Sequence, residues 1–258
     1  MATITTTDQV LLRTRANPGA LLDLWFLHGF GESGLSFREV FGSPLAQRCN
    51  LFAPDFPGFG VSPFVEGAAT IDGSVRVLGR LLAVHSPQRP VVLLGHSLGG
   101  IVATRAAVVW PQQVRAVVSI EGNLTRADTF GTGQTIGVTD AAAFHRTYVA
   151  AMAAQANGDE ALLRYVASLR FADPRALLSW GQSCYEATGV QTSGEAYAAL
   201  ACPKLYLWGD GNTPAQTRQF IHDFQLVNHL FPGAGHWPMI DQPEACYRVI
   251  AEFVVNLQ

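Results

Sequence analysis

Charged residues are scarce in this chain of 258 residues, where Asp, Glu, Lys and Arg together make up 14%. The formal net charge is −3, and no stretch concentrates basic residues. The sequence therefore offers no electrostatic basis for binding nucleic acid or an anionic membrane surface. Hydrophobic residues make up 48%, which predicts a compact globular protein and excludes a disordered one.

Long apolar runs are also missing. No run approaches the roughly 20 residues that span a bilayer, and the N-terminal segment lacks the basic and apolar stretches of a secretory signal. Cysteine is rare, with neither CxxC spacing nor disulfide-rich density at Cys49, Cys184, Cys202 and Cys246. We therefore predict no membrane association, four free and mostly buried thiols, a cytoplasmic location and no metal site.

Short β-rich runs alternate with helical patterns over residues 21–121, and the alternation resumes near residue 203. This order predicts right-handed βαβ units and a mostly parallel sheet covered by helices on both faces, an α/β fold. Within it, residues 36–48 have the apolar spacing of an amphipathic helix.

The alternation stops between residues 122 and 198, where no convincing strand pattern occurs. We therefore expect a core domain formed by residues 1–121 and 199–258, with a helical cap or lid inserted at 122–198. Three helices are predicted in the insertion, at 140–156, 159–171 and 173–188.

One turn in the core stands out. The segment "GHSLGG" at 95–100 lies between an apolar strand pattern and a helical pattern. Strand, sharp turn and helix form the context of a nucleophile elbow, in which glycines leave room for a strained turn. Such a turn would present the Ser97 hydroxyl at the N-terminus of the next helix. The alternative is a Ser/Gly turn that carries no chemistry.

A serine nucleophile needs a base to take its proton. Of the seven histidines, His236 lies just after the last predicted strand, in "FPGAGHWPMIDQP". Loops at the carboxyl ends of parallel strands gather at one edge of the sheet, where Ser97 also lies. We therefore predict that His236 is the base, whereas His96 points away from the serine next to it.

Five segments in chain order resemble the landmarks of the α/β-hydrolase superfamily. This resemblance implies an eight-stranded sheet with one antiparallel strand near the N-terminus, and a helical lid. It also implies a triad in the order serine, acid, histidine, and an oxyanion hole formed by the backbone N–H groups of Phe30 and Leu98. The segments are "LHGFGES" (27–33), "DFPGFGVS" (55–62), "GHSLGG" (95–100), "LYLWGD" (205–210) and "GAGHWPMIDQPE" (233–244).

The acid of the triad departs from the superfamily's usual pattern. Members usually carry it after the seventh strand, and that position here is Asn212, whose amide cannot stabilise an imidazolium. Asp210 in the same loop is one candidate, and Glu121 at the end of the sixth predicted strand is the other. Haloalkane dehalogenases and zearalenone lactonases place an acid at the end of the sixth strand, which favours Glu121. Glu32 is interpreted as the cap of the following helix.

These residues predict a cofactor-independent serine hydrolase that cleaves a carboxylic ester or lactone through an acyl-enzyme on Ser97. An apolar lid indicates a substrate with a hydrophobic part. The alternatives are a carbon–carbon bond hydrolase or lyase on the same fold, and a slow-turnover ligand receptor. The predicted binding partner is a small-molecule substrate, and the sequence is also compatible with a homo-oligomer. The large lid side chains, most of them expected to pack in the lid, are Phe130, Phe144, Tyr148, Met152, Leu162, Tyr165, Phe171, Trp180 and Tyr185.

Overall fold

A computed structural model describes residues 2–189 and 193–257. An eight-stranded sheet lies at its centre, in the order β1-β2-β4-β3-β5-β6-β7-β8. Of these strands β2 alone runs against the rest, pairing antiparallel with both β1 and β4, so the predicted mostly parallel sheet is confirmed. The strands are β1 (Thr3–Thr7), β2 (Val10–Arg15), β3 (Asp23–Leu27), β4 (Asn50–Pro54), β5 (Val91–His96), β6 (Val114–Ile120), β7 (Lys204–Gly209) and β8 (Asn228–Phe231).

Helices cover both faces of this sheet. Alternate residues of the central strands enter two separate apolar clusters, so that Trp25 and Leu27 pack on one face and Leu24 and Phe26 on the other. Burial on both faces explains why these strands are continuous apolar runs. The α-helices of the described residues are α1 (Ile71–His85), α2 (Leu98–Val109), α3 (Ala141–Gln155), α4 (Glu160–Leu169), α5 (Pro174–Ala187), α6 (Ser193–Ala198), α7 (Ala215–Asp223), α8 (Pro238–Asp241) and α9 (Pro243–Val255).

The carboxyl ends of β5 and β6 are held level with each other. His96 pairs with Ile120 in the parallel register, so the next residues, Ser97 and Glu121, leave adjacent strands at the same height. Their amides extend the ladder, because Ser97 N–H donates to Ile120 O (2.9 Å) and Glu121 N–H to Leu207 O (2.8 Å). The sheet thereby fixes both backbone positions.

The prediction of a continuous amphipathic helix at 36–48 is wrong. Two 3-10 segments, Gly34–Gly42 and Pro44–Gln47, occupy this region. Between them Ser43 is extended (φ −79°, ψ 168°), as is usual for a residue before proline. Proline is well suited to the first position of the following turn, where its missing N–H is not needed.

Between β6 and β7 the described residues form helices and 3-10 turns but no strand. The three helices predicted there are present as α3, α4 and α5, and α6 is additional. Each of the three begins at an aspartate whose side chain accepts a backbone N–H of the first turn, which satisfies a donor that the helix leaves free. These caps are Asp140, Asp159 and Asp173.

None of the helices in the described ranges is both long and apolar enough to cross a membrane. The four cysteine thiols are unpaired, with Cys202 half-buried and the other three buried. The prediction of free, mostly buried thiols is confirmed.

Candidate active site

Ser97 occupies a strained turn between β5 and α2. Its backbone lies in the left-handed region (φ 51°, ψ −125°), which a residue with a side chain rarely adopts. A side chain at Gly95 would collide with the backbone of Gly99, and one at Gly99 with the Leu27 carbonyl. The two glycines therefore permit the turn, and the Ser97 hydroxyl is not used to cap the helix.

The first residue after β6 carries the carboxylate that meets His236. Glu121 Oε2 lies 3.3 Å from His236 Nδ1, while Oε1 accepts the Gly209 N–H (2.7 Å) and the Thr213 hydroxyl. Burial alone raises the pKa of Glu121, but these hydrogen bonds outweigh it and hold the pKa below its ordinary value. Glu121 is therefore an ionised carboxylate directed at the imidazole.

Asn212, at the position where the superfamily usually has its acid, contacts both members of this pair. Its Nδ2 lies 2.8 Å from Glu121 Oε2 and 3.0 Å from His236 Nδ1. The other candidate acid, Asp210, is exposed and accepts the Gly233 N–H (2.7 Å). Among the hydrogen bonds of the described residues, none joins Asp210 to His236, so the structure brings Glu121 to the histidine.

Ser97 and His236 line one cavity of about 310 Å³. In the part of the chain that the structure describes, no hydrogen bond joins Ser97 Oγ to His236. Instead the hydroxyl donates a long bond (3.4 Å) to Asn123 Oδ1. Catalytic hydrogen bonds are often long in unliganded enzymes and tighten when substrate binds.

Asn123 was not found from the sequence, although it lies only two residues beyond the strand-end Glu121. Its Nδ2 donates to Asp128 O (2.8 Å), which orients Oδ1 toward Ser97. Its position just after a strand end, in the segment "EGN", is the sequence feature by which Asn123 could have been identified. The structure therefore has a fixed acceptor beside the candidate nucleophile.

The predicted oxyanion donors are the backbone N–H groups of Phe30 and Leu98. Within the described residues, neither Phe30 N–H nor Leu98 N–H donates a hydrogen bond to the protein. Leu98 is the first residue of α2, where backbone N–H groups have no partner inside the helix. Phe30 also lines the cavity.

A buried histidine holds the loop that carries Phe30. His28 Nε2 accepts the Phe56 N–H (3.0 Å), so its proton lies on Nδ1 and is donated to Gly29 O (3.0 Å). Burial lowers the pKa of His28, which keeps the ring neutral in this tautomer. The backbone just before Phe30 is thereby anchored.

The interpretation of Glu32 as a helix cap is wrong. Ser33 caps the following 3-10 segment, accepting the Leu35 N–H. The buried Glu32 carboxylate instead bonds His96 and Trp237 and lines the cavity. His96 bonds Glu32 on one side and the His236 carbonyl on the other, away from the Ser97 hydroxyl.

Apolar and aromatic side chains form much of the cavity wall. Five of the nine large side chains that the sequence placed in the predicted lid line it, and Phe130 packs its ring edge-on against His236 with centroids 5.4 Å apart. No group of three or more His, Cys, Asp or Glu side chains in the described chain is placed to hold a metal ion. These five residues, all between β6 and β7, are Phe130, Tyr148, Met152, Leu162 and Tyr165.

Residues 26–249 match the model of the Alpha/beta hydrolase family. The chain belongs to this family. Among curated relatives of this hydrolase is the pimeloyl-[acyl-carrier protein] methyl ester esterase of Edwardsiella ictaluri, 29% identical over 90% of this chain and 92% of the relative. The enzyme of the same name from Aeromonas salmonicida is 27% identical over 90% and 95%. The prediction of a carboxylic ester hydrolase agrees with these relatives.

Solved structures confirm the predicted fold class of this hydrolase. A thermophilic esterase from Thermogutta terrifontis superposes with a TM-score of 0.76 at 19% identity, covering 100% of this chain and 99% of that one. An N-acyl homoserine lactonase complexed with N-butanoyl homoserine gives 0.77 at 17%, covering 100% and 97%. The epoxide hydrolase CorEH gives 0.77 at 18%, covering 100% and 99%. Such different activities on one fold leave the chemistry to be argued from the site.

Proposed function

We propose that this protein hydrolyses a carboxylic ester or lactone with a hydrophobic part, through an acyl-enzyme on Ser97. The observation that carries the proposal is the ionised Glu121 carboxylate bonded to His236, at a cavity that also holds Ser97 in a strained turn. In this proposal Ser97 is the nucleophile, His236 the base and Glu121 the acid that orients it.

In the acylation step, the Ser97 hydroxyl leaves Asn123 and gives its proton to His236 Nε2 as Oγ attacks the substrate carbonyl. The carbonyl oxygen becomes an oxyanion, which the N–H groups of Phe30 and Leu98 stabilise. Removal of one such donor typically costs about 3 kcal/mol of barrier. The C–O bond then breaks, and the alcohol leaves with the proton from His236.

In the deacylation step, His236 takes a proton from water, and the resulting hydroxide equivalent attacks the acyl-enzyme. The second oxyanion collapses, the bond to Ser97 Oγ breaks, and His236 returns its proton to the serine. Throughout, Glu121 stabilises the imidazolium that forms on His236. No further reactant is consumed beyond one water for each ester bond.

The cavity supports a substrate of modest size with an apolar part. Its volume of about 310 Å³ is near the small end of the range for ligand sites. Three of its aromatic side chains, Phe130, Tyr148 and Tyr165, come from the insertion between β6 and β7, which we propose acts as the lid. The curated relatives are named for a methyl ester, and a small alcohol part with a longer apolar acyl part fits these walls.

The test is turnover of p-nitrophenyl acetate, butyrate, octanoate and laurate, of methyl esters of the same acids, and of small lactones. We expect multiple turnovers by the wild type and a loss on the order of 10³-fold or more in kcat for Ser97→Ala. A fluorophosphonate should label Ser97, as located by peptide mass spectrometry.

Three outcomes would overturn the proposal. Turnover that survives Ser97→Ala would show that another group is the nucleophile. Labelling of Ser97 with no turnover of any ester or lactone would favour carbon–carbon bond hydrolysis. A single stoichiometric reaction without turnover would favour the receptor.

A further inference from the structure

A second ionisable pair lies beside the candidate triad and is buried more deeply. Glu32, in the loop after β3, and His96, the last residue of β5, are 2% and 0% exposed. His96 Nδ1 lies 2.9 Å from Glu32 Oε1 and 3.1 Å from Oε2, and Nε2 lies 2.8 Å from the carbonyl oxygen of His236. The pair therefore reaches the backbone of the proposed base.

The partners of His96 fix its protonation state. A carbonyl oxygen can only accept, and Glu32, whose pKa is lowered to about 2, is an ionised carboxylate that can also only accept. The imidazole presents two N–H donors only as the imidazolium, so the pair is Glu32⁻ and His96⁺. Burial alone lowers the pKa of His96, but Glu32 outweighs burial and raises it, and the pKa of Glu32 falls to about 2.

Glu32 also ties together the two loops that flank Ser97. It accepts the N–H of Gly29, the residue before the proposed oxyanion donor Phe30, at 3.1 Å. It accepts the indole N–H of Trp237, the residue after His236, at 2.8 Å. One carboxylate thus bonds the oxyanion loop, the strand end before Ser97 and the histidine loop.

We propose that Glu32 and His96 are positioning residues, which set the placement of the His236 loop relative to the oxyanion loop and Ser97. This inference rests on the proposed function. Neither side chain has to touch the reacting atoms, because each acts through backbone groups next to those that do. A buried ion pair is in general weak evidence for stability, so stability alone is not a sufficient reason for this pair.

Misplacement of a catalytic group by about 1 Å costs on the order of 100-fold in rate. We therefore expect Glu32→Gln and His96→Asn to lower kcat by about 10- to 100-fold while KM changes much less. Both variants should also slow fluorophosphonate labelling of Ser97, since that reaction needs the same base and oxyanion donors.

Asp23→Asn is the matched control. Asp23 is a buried carboxylate at the amino end of β3, the opposite edge of the sheet, where it accepts the Ser86 hydroxyl (2.6 Å) and the Asn50 amide (2.7 Å). Its variant should lower Tm without changing the kcat of the folded protein. An equal loss of kcat in Asp23→Asn and Glu32→Gln, at matched Tm, would overturn the positioning role.

The protonation state is tested on the wild-type protein. In wild-type protein labelled with ¹⁵N-histidine, His96 should show two ring N–H signals at pH 6, assigned by their disappearance in His96→Asn or by their contact with Trp237. The other titratable groups around the pair are His28, Glu121, His236 and Tyr165. A single His96 N–H at pH 6 would overturn the proposal even if both variants fail to fold.

The outcomes for the two proposals separate cleanly. If Ser97→Ala retains activity, the proposed function fails, whatever the state of His96. If Ser97→Ala is inactive but Glu32→Gln and His96→Asn retain full kcat and labelling rate, only the positioning role fails.

Discussion

Asn212 Nδ2 lies 3.0 Å from His236 Nδ1, closer than the 3.3 Å that separates this nitrogen from Glu121. The Asn212 amide, a donor, can bond Nδ1 only when the imidazole proton lies on Nε2. Glu121 can bond it only when the proton lies on Nδ1, the tautomer in which Nε2 can accept the proton of Ser97. The two side chains therefore favour opposite tautomers of the proposed base.

Asn212→Asp should shift the acid limb of the pH–rate profile upward. A carboxylate in place of the amide that lies 3.0 Å from His236 Nδ1 would stabilise the imidazolium, so the base of this variant should stay protonated, and inactive, to higher pH. The measurement is kcat against pH with p-nitrophenyl butyrate. Asn212→Ala removes the amide without adding charge and should leave the limb in place, and an unmoved limb in Asn212→Asp would contradict the argument.

Glu121→Gln should lower kcat by about 10⁴-fold, the cost of replacing the acid by its amide in serine proteases. Asp210→Asn, which changes an exposed carboxylate bonded to Gly233, should stay within about 2-fold of wild type, as surface changes away from the site do. Steady-state turnover of one ester by the three proteins decides between the acids. The reverse ranking would assign the role to Asp210.

Asn123→Asp should lower kcat more than Asn123→Ala does. A carboxylate 3.4 Å from Ser97 Oγ would bind the resting hydroxyl more strongly and repel the oxyanion that forms next to it. The alanine variant removes the acceptor and so frees the Ser97 hydroxyl. It also loses the bond from Asn123 to Asp128 O. Because both residues line the cavity, the main effect should be weaker substrate binding, seen as a higher KM. Equal kcat values for the two variants would contradict a direct contact with Ser97 in catalysis.

The stability difference between wild type and Glu32→Gln should depend on pH. Because the pKa of Glu32 is lowered to about 2 in the folded protein, its ionised form stabilises the fold above its ordinary pKa of 4.5. That contribution is lost as the pH falls from 4.5 toward 2. The difference in Tm between wild type and Glu32→Gln, measured by circular dichroism, should therefore be largest between pH 5 and 6.

On the alkaline side, His96 has a raised pKa. The stabilisation from the protonated His96 is complete below its ordinary pKa of 6.5 and disappears as the pH rises through the raised pKa. The difference in Tm between wild type and Glu32→Gln should therefore narrow again at alkaline pH. A gap that stays constant from pH 3 to 9 would contradict an ionised pair.

Local pattern was enough to place much of the fold and part of the candidate site. The strand–turn–helix at Ser97 depends on neighbouring residues alone, and the loop of His236 follows from the common edge of parallel strands. The helix at 36–48 was wrong because Pro44 imposes an extended Ser43. The N-terminal hairpin was not identified individually, since β1 is exposed and has no alternating apolar pattern.

The remaining site residues depend on contacts between distant parts of the chain. Glu32 meets His96 across 64 positions and Trp237 across 205. No rule of sequence spacing connects residues so far apart. The local sequence pattern therefore suggested that Glu32 caps the helix that follows it. Asn123 was missed for a different reason, because its role depends on which way its amide is turned by Asp128.

The shared register of β5 and β6 decides where this chain can tolerate insertions and deletions. Loss of one residue from β6 would draw Glu121 back by about 3.3 Å and turn its side chain to the opposite face of the sheet. The same loss between α3 and α6 would reshape the cavity wall and leave Ser97 and Glu121 level with each other. Changes in chain length that alter substrate preference are therefore expected between β6 and β7, whereas the strands themselves should keep their lengths.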